Sequence, residues 1–215
     1  MNKLLVKEGI LSINNSLNDL DIKTNTLTLE ISGNVCINDI NNNTNLDLKI
    51  IMAKGSHLLY NRYNESINKF NLDIEIMDES YVEFNYSLKT LTESNINLNA
   101  NIAGDNNVSH INFHGLTDDK GIIKNIATSK VCENTKNNEV LENLRIVTLN
   151  DAENMIVPNL LVRSDSVNAI HNTTISSVDK DYLFYLNSKG INNEDATKLI
   201  VDGFLKSNLK EKISM

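Results

Sequence analysis

The 215-residue chain has no tryptophan, one proline, eight glycines and two cysteines. With glycine and proline so scarce, some other residue has to form the turns. Cys36 and Cys132 stand far apart and neither belongs to a C-x-x-C pair, which argues against a disulfide framework or a thiol metal knuckle. They are expected as apolar side chains kept reduced. No run of about 18 apolar residues occurs, so no membrane-spanning helix is expected. The opening MNKLLVKEGILSINNS breaks its apolar run at Lys7 and Glu8 and lacks a small-residue cleavage pattern, which makes the cytoplasm the expected compartment. The formal charge is -8 and the basic residues form no block, so no nucleic-acid surface is expected. There is no P-loop, G-x-G-x-x-G, G-x-S-x-G or H-E-x-x-H, and nothing reads as an independent catalyst.

What the chain has in abundance is asparagine, as in NDINNNTNLD at 38–47, a residue that tolerates left-handed backbone and bonds its own main chain at turns. Apolar residues alternate: Leu27, Leu29, Ile31; Leu46, Leu48, Ile50, Met52; Leu72, Ile74, Ile76; Val82, Phe84, Tyr86, Leu88; Ile96, Leu98, Ala100, Ile102; Leu144, Ile146. A period of two predicts half-buried strands. An antiparallel sandwich and a β-solenoid both fit that count. No Asn-Gly or Asp-Gly pair separates two alternating runs, which favours the solenoid, where stacked asparagines and irregular corners are welcome. No strict repeat is present.

The period changes near residue 178. Asp179 is placed to cap a helix over KDYLFYLNSKG, with Gly190 at its stop, and Asn192 to cap a second helix with Glu194 and Asp195 in its first turn. Ala196, Leu199, Ile200, Gly203 and Phe204 form the expected apolar stripe, and Lys206, Lys210 and Lys212 crowd the end. Helices this short need packing against the last coil of the β region or a partner. The expected division is a β core over 1–177 and a helical region over 178–215.

His110 and His114 lie four apart in an alternating stretch, about 13 Å if extended, too far to share an ion, so both are read as structural. His57 has no evident companion. His171 closes the last alternating run beside Thr173, Thr174, Ser176 and Ser177.

From Glu142 to Phe204 the chain resembles the SufB/SufD family of iron–sulfur cluster assembly proteins. The elements that carry the likeness are the Pro-x-Leu strand at Pro158–Leu160, the turn at Ser164–Val167, the histidine element at His171–Thr174, the helix end at Phe184–Ile191 and the closing Gly203-Phe204. Residues 122–144 continue it more weakly, and before about residue 100 only β character is evident. The resemblance implies a right-handed parallel β-helix with a small two-helix C-terminal region, acting as a scaffold and not an enzyme. It implies pairing with a SufB-like paralogue or a second copy through the β-helices, and docking of a SufC-type ATPase by the C-terminal region. The candidate dock is Tyr182, Phe184, Tyr185, Lys189, Gly190 and Phe204. His171 matches the family's functional histidine, a possible iron ligand at the pair interface. Lys189 replaces the usual arginine, and Asn172 and Thr173 replace Gly-Ala. The SufB-type cysteine has no counterpart near Glu142–Arg145, so the chain looks SufD-like, with no metal or cofactor stably bound alone and only a transient iron–sulfur cluster in the complex. The family's helical N-terminal region has no counterpart either, which suggests a short version. The competing readings are a carbohydrate-binding or carbohydrate-cleaving β-helix, which needs aligned exposed aromatics or clustered carboxylates, and an interaction domain without assembly activity.

Overall fold

A computed structural model describes residues 3–6, 10–15, 19–40, 45–149 and 151–210. Its strands are β1 (Lys3–Val6), β2 (Ile10–Ile13), β3 (Asp19–Ile22), β4 (Thr26–Ile31), β5 (Asn34–Ile40), β6 (Asn45–Met52), β7 (His57–Glu65), β8 (Lys69–Ile76), β9 (Tyr81–Thr90), β10 (Glu93–Ile102), β11 (Val108–Thr117), β12 (Ile122–Val131), β13 (Asn138–Thr148), β14 (Met155–Val162) and β15 (Val167–Ser177). Two helices follow, α1 (Lys180–Ser188) and α2 (Asn193–Ser207).

Even-numbered strands β2 to β14 form a seven-stranded sheet, odd-numbered strands β5 to β15 a six-stranded sheet, and β1 pairs with β3. Every pairing is parallel. Parallel neighbours two strands apart in sequence require the chain to cross to the other sheet and return each time, which makes a β-solenoid. The alternation explains why: each inward-facing row, from Leu27, Leu29 and Ile31 to Leu144 and Ile146, is buried between the sheets. Aromatics from both sheets meet there, with Tyr60–Phe84 at 5.0 Å, Phe70–Tyr86 at 5.1 Å and Tyr86–Phe113 at 5.4 Å between ring centres.

One ion pair sits inside this apolar stack. Arg62 and Asp39 are fully buried and bonded to each other, Tyr60 Oη donates to Asp39 Oδ2 at 2.9 Å, and the guanidinium lies 4.4 Å from the centre of the Phe70 ring. Burial opposes the Arg62 charge, and Asp39 together with Tyr86 and Tyr60 more than offsets it, raising the guanidinium's pKa.

Asparagine takes three of the six left-handed non-glycine positions among the described residues, Asn106, Asn134 and Asn137, sharing the work with Ser66, Glu79 and Asp119. Its larger use is lateral. On the outer face of the six-stranded sheet Asn61 donates to Asn38 at 2.9 Å, Asn85 to Asn61 at 3.1 Å and Asn112 to Asn85 at 2.9 Å, one rung per coil. Identical side chains in register satisfy each other's amides, so they stack without an orphan group.

Helix α2 lies across that same outer face. Phe204 stacks on His114 with ring centres 4.3 Å apart and planes 4° from parallel, and His114 Nδ1 donates to the Phe204 carbonyl at 2.8 Å. Ser87 Oγ donates to the Leu205 carbonyl at 2.8 Å, Asn208 Nδ2 to the Tyr86 carbonyl at 2.9 Å, and Asn61 Nδ2 to the Lys210 carbonyl at 2.8 Å. Leu116, Val147, Val178, Val201 and Leu205 make a second small core beneath it. The expected stripe is therefore corrected: Ala196, Val201 and Leu205 are buried, Ile200 and Phe204 pack beside them, and Leu199 is 55% exposed. The reason is the docking surface, which is the broad side of several coils and not the end of the last one. Lys212 lies outside the described residues.

Candidate functional site at the open end

The last coil, β14 and β15, has a neighbour on one side only among the described residues. The chain's one proline, Pro158, sits on β14, where an edge strand tolerates the missing N–H. Register carries the inward rows of β12 and β13 onto this coil: Ile156, Pro158, Leu160 and Val162 on β14, and Val167, Ala169, His171, Thr173 and Ile175 on β15. Interior-type residues thus face an uncovered end. Leu161, on the outer side, is 52% exposed, and Ile175, on the inner side, 45%. Edge strands of this length with exposed apolar side chains are a ready surface for another chain.

His171 tops one interior row. Strand register places Ile37, Tyr60, Phe84, Ile111, Glu142 and His171 in line, with rungs about 4.8 Å apart. The row is apolar or aromatic until its last two members. Glu142 is fully buried; Ser129 Oγ, from the opposite sheet, donates to its Oε1 at 2.7 Å, and its Oε2 has no hydrogen-bond partner. Burial raises the Glu142 pKa, opposed by the Ser129 hydrogen bond and by the nearby His171. A buried carboxylate oxygen left unbonded costs about 1–3 kcal/mol or more.

The helical candidates divide into two groups. Asp179 caps α1 by accepting from the Asp181 N–H at 2.8 Å, and Gly190, at φ +87°, ends the helix in a left-handed turn that favours glycine. Between them Tyr182, Phe184 and Tyr185 are 63%, 77% and 58% exposed, with Lys189 Nζ 5.5 Å from the Tyr185 ring centre. Phe204 belongs elsewhere, between His114 and the Arg145 guanidinium, 5.4 Å from its ring centre. His171 and the α1 aromatics thus occupy different elements, one on the end of the solenoid and one beside it.

Of the other residues weighed, His110 Nε2 bonds Glu139 Oε1 at 2.8 Å and His114 holds α2. His57 lies against Tyr81, its ring centre 6.0 Å away. Cys36 and Cys132 are half-buried and unbridged. Among the described residues no three His, Cys, Asp or Glu side chains group as a metal site, and no helix is long and apolar enough to cross a membrane. Sequence reasoning passed over Glu142 and Ser129. The signal was the offset between rungs, which varies from 23 to 31 residues and so hides the row.

Residues 78–204 match the family described as SUF system FeS cluster assembly, SufBD core domain, more than half of the chain and reaching further towards the N-terminus than the motifs at 142–204 alone. An iron–sulfur cluster assembly SufBD family protein of Synechocystis sp. is 43% identical over 47 residues, 22% of this chain and 10% of that protein. Counterparts from Staphylococcus saprophyticus and Staphylococcus aureus are each 37% identical over 62 residues, 29% of this chain and 13% of theirs. The aligned part therefore spans about a tenth of the length of these relatives. The parallel solenoid, the two helices after it and the match across 78–204 agree, and the chain belongs to the SufBD family of iron–sulfur cluster assembly proteins.

Proposed function

We propose that this chain is a SufD-like scaffold subunit of the SUF machinery, working without catalysis of its own. It pairs through the open end of its solenoid with a SufB-like paralogue or a second copy, brings His171 to that interface, and docks a SufC-type ATPase through α1. The observation that carries the reading is the uncovered last coil, where interior-type residues and His171 sit at an open end that no further coil covers among the described residues. The lack of a cysteine on β13, β14 or β15 supports the SufD-like assignment, since thiolates are the usual cluster ligands. Sulfur handling then falls to the partner, and the cluster is cargo held transiently between subunits. The exposed Tyr182, Phe184 and Tyr185 supply the aromatic anchors that interfaces favour. Most strand aromatics point into the core, which leaves the carbohydrate reading no aligned platform.

Pull-down of the purified chain with the SufC-type ATPase of the same organism tests the dock. The intact chain is expected to bind and the Phe184→Ser/Tyr185→Ser variant to lose binding while keeping its melting temperature. Truncating the helices is a poorer test, because α2 is bonded to the sheet. A folded intact chain that captures no ATPase overturns the reading.

A further inference from the structure

One of the buried polar atoms without a hydrogen-bond partner, Glu142 Oε2, belongs to the residue one rung below His171. We infer that Glu142 and His171 form a half-site for a divalent first-row cation, iron(II) in the working complex, open towards the second subunit. The inference rests on the reading of His171 given above and adds to it a second ligand and a substrate class. The two side chains are adjacent rungs of one inward row, so carboxylate and imidazole face the same space. Ser129 fixes one carboxylate oxygen at 2.7 Å and leaves the other, fully buried, without a partner. Ile111 one rung below Glu142, with Val140 and Leu144 on either side of it along β13, makes the floor apolar, which strengthens attraction between a carboxylate and a cation. One imidazole and one carboxylate suit iron(II), cobalt(II) or zinc(II). Two protein ligands leave the remaining positions for cargo exchange, as a site of passage requires and a resident metal centre does not.

The test is a titration of the full chain with cobalt(II) alone, a redox-stable stand-in, followed by NMR of the four histidine rings. His171 signals are expected to shift or broaden first and to saturate. His110, which has a carboxylate partner but on the solvent-facing side, is the internal comparison. His171→Ala is expected to abolish the effect at this end, and Glu142→Gln to weaken binding at least tenfold with the melting curve retained. Loss in His171→Ala with unchanged affinity in Glu142→Gln removes Glu142 from the site and leaves the histidine reading standing. Unchanged affinity in both variants, or preferential binding at His110, overturns the half-site altogether. Should Glu142→Gln not fold, the Glu142 carboxyl carbon of the unmutated chain decides: broadening with His171 supports the half-site, and an unaffected signal refutes it.

Discussion

Replacing Arg62 by methionine removes the buried counter-charge of Asp39 while keeping most of the volume between Phe70 and Tyr86. Breaking one side of a fully buried ion pair costs about 3–5 kcal/mol, because the remaining charge stays in a low-dielectric interior. Loss of the cation–ring contact adds up to about 2 kcal/mol, of which a methionine sulfur against the same rings returns about 0.3–1.5 kcal/mol. The net expectation is roughly 3–5 kcal/mol, a large share of the 5–15 kcal/mol typical of a domain. In urea this lowers the midpoint by about 1.5–2.5 M if the slope is near 2 kcal/mol per molar. Adding Asp39→Leu should recover most of the loss, since exchanging both charges for apolar groups is often neutral or better. A single variant within about 1 kcal/mol of the parent, or a double variant no better than the single, would refute the argument that the pair is an electrostatic unit.

Glu142 gives a pH prediction of defined sign. Its folded-state pKa is raised, so its contribution is favourable below the unfolded carboxylate range and is lost as pH rises through the folded value. Chemical unfolding between pH 4 and 7 should show this decline, and Glu142→Gln should flatten it. His114 acts in the opposite sense: burial lowers its pKa, with the Phe204 carbonyl opposing, so its stabilisation is present above about pH 6.5 and falls as pH drops through the folded value. The opening free energy of α2, from hydrogen exchange corrected for the intrinsic pH dependence of amide exchange, should therefore fall below pH 6, and His114→Ala, which loses the ring stack and one hydrogen bond, should lower it at neutral pH by about 1–2.5 kcal/mol. Asn85→Ala breaks the asparagine ladder at two rungs and is expected to cost about 1–3 kcal/mol by thermal melting; a neutral result would mean that the ladder fills space without stabilising.

The strand rows were legible because period two survives any mixture of residue types, and Leu46 to Met52 or Val82 to Leu88 read as strands at sight. Both helix caps were legible for a similar reason, since Asp179 and Asn192 act within three residues of themselves. Relations between coils were not. Glu142 meets His171 and Ser129 only through coil lengths that change from turn to turn, and Arg62 finds Asp39 across 23 residues with no local cue. The α2 stripe was misread by part of a turn because helix periodicity gives a face without saying what it docks against, and here the choice was made by His114 and Leu116 on a strand about 90 positions earlier.

A solenoid alone is quasi-one-dimensional, each coil held only by its neighbours and free to fray from an end. Helix α2 and the residues just after it touch β7, β9, β11 and β13 through Asn61, Ser87, His114 and Arg145. Four coils are tied by a segment synthesised after all of them, so during translation the growing stack stands on nearest-neighbour contacts. It becomes a single cooperative block only when this late segment closes over it.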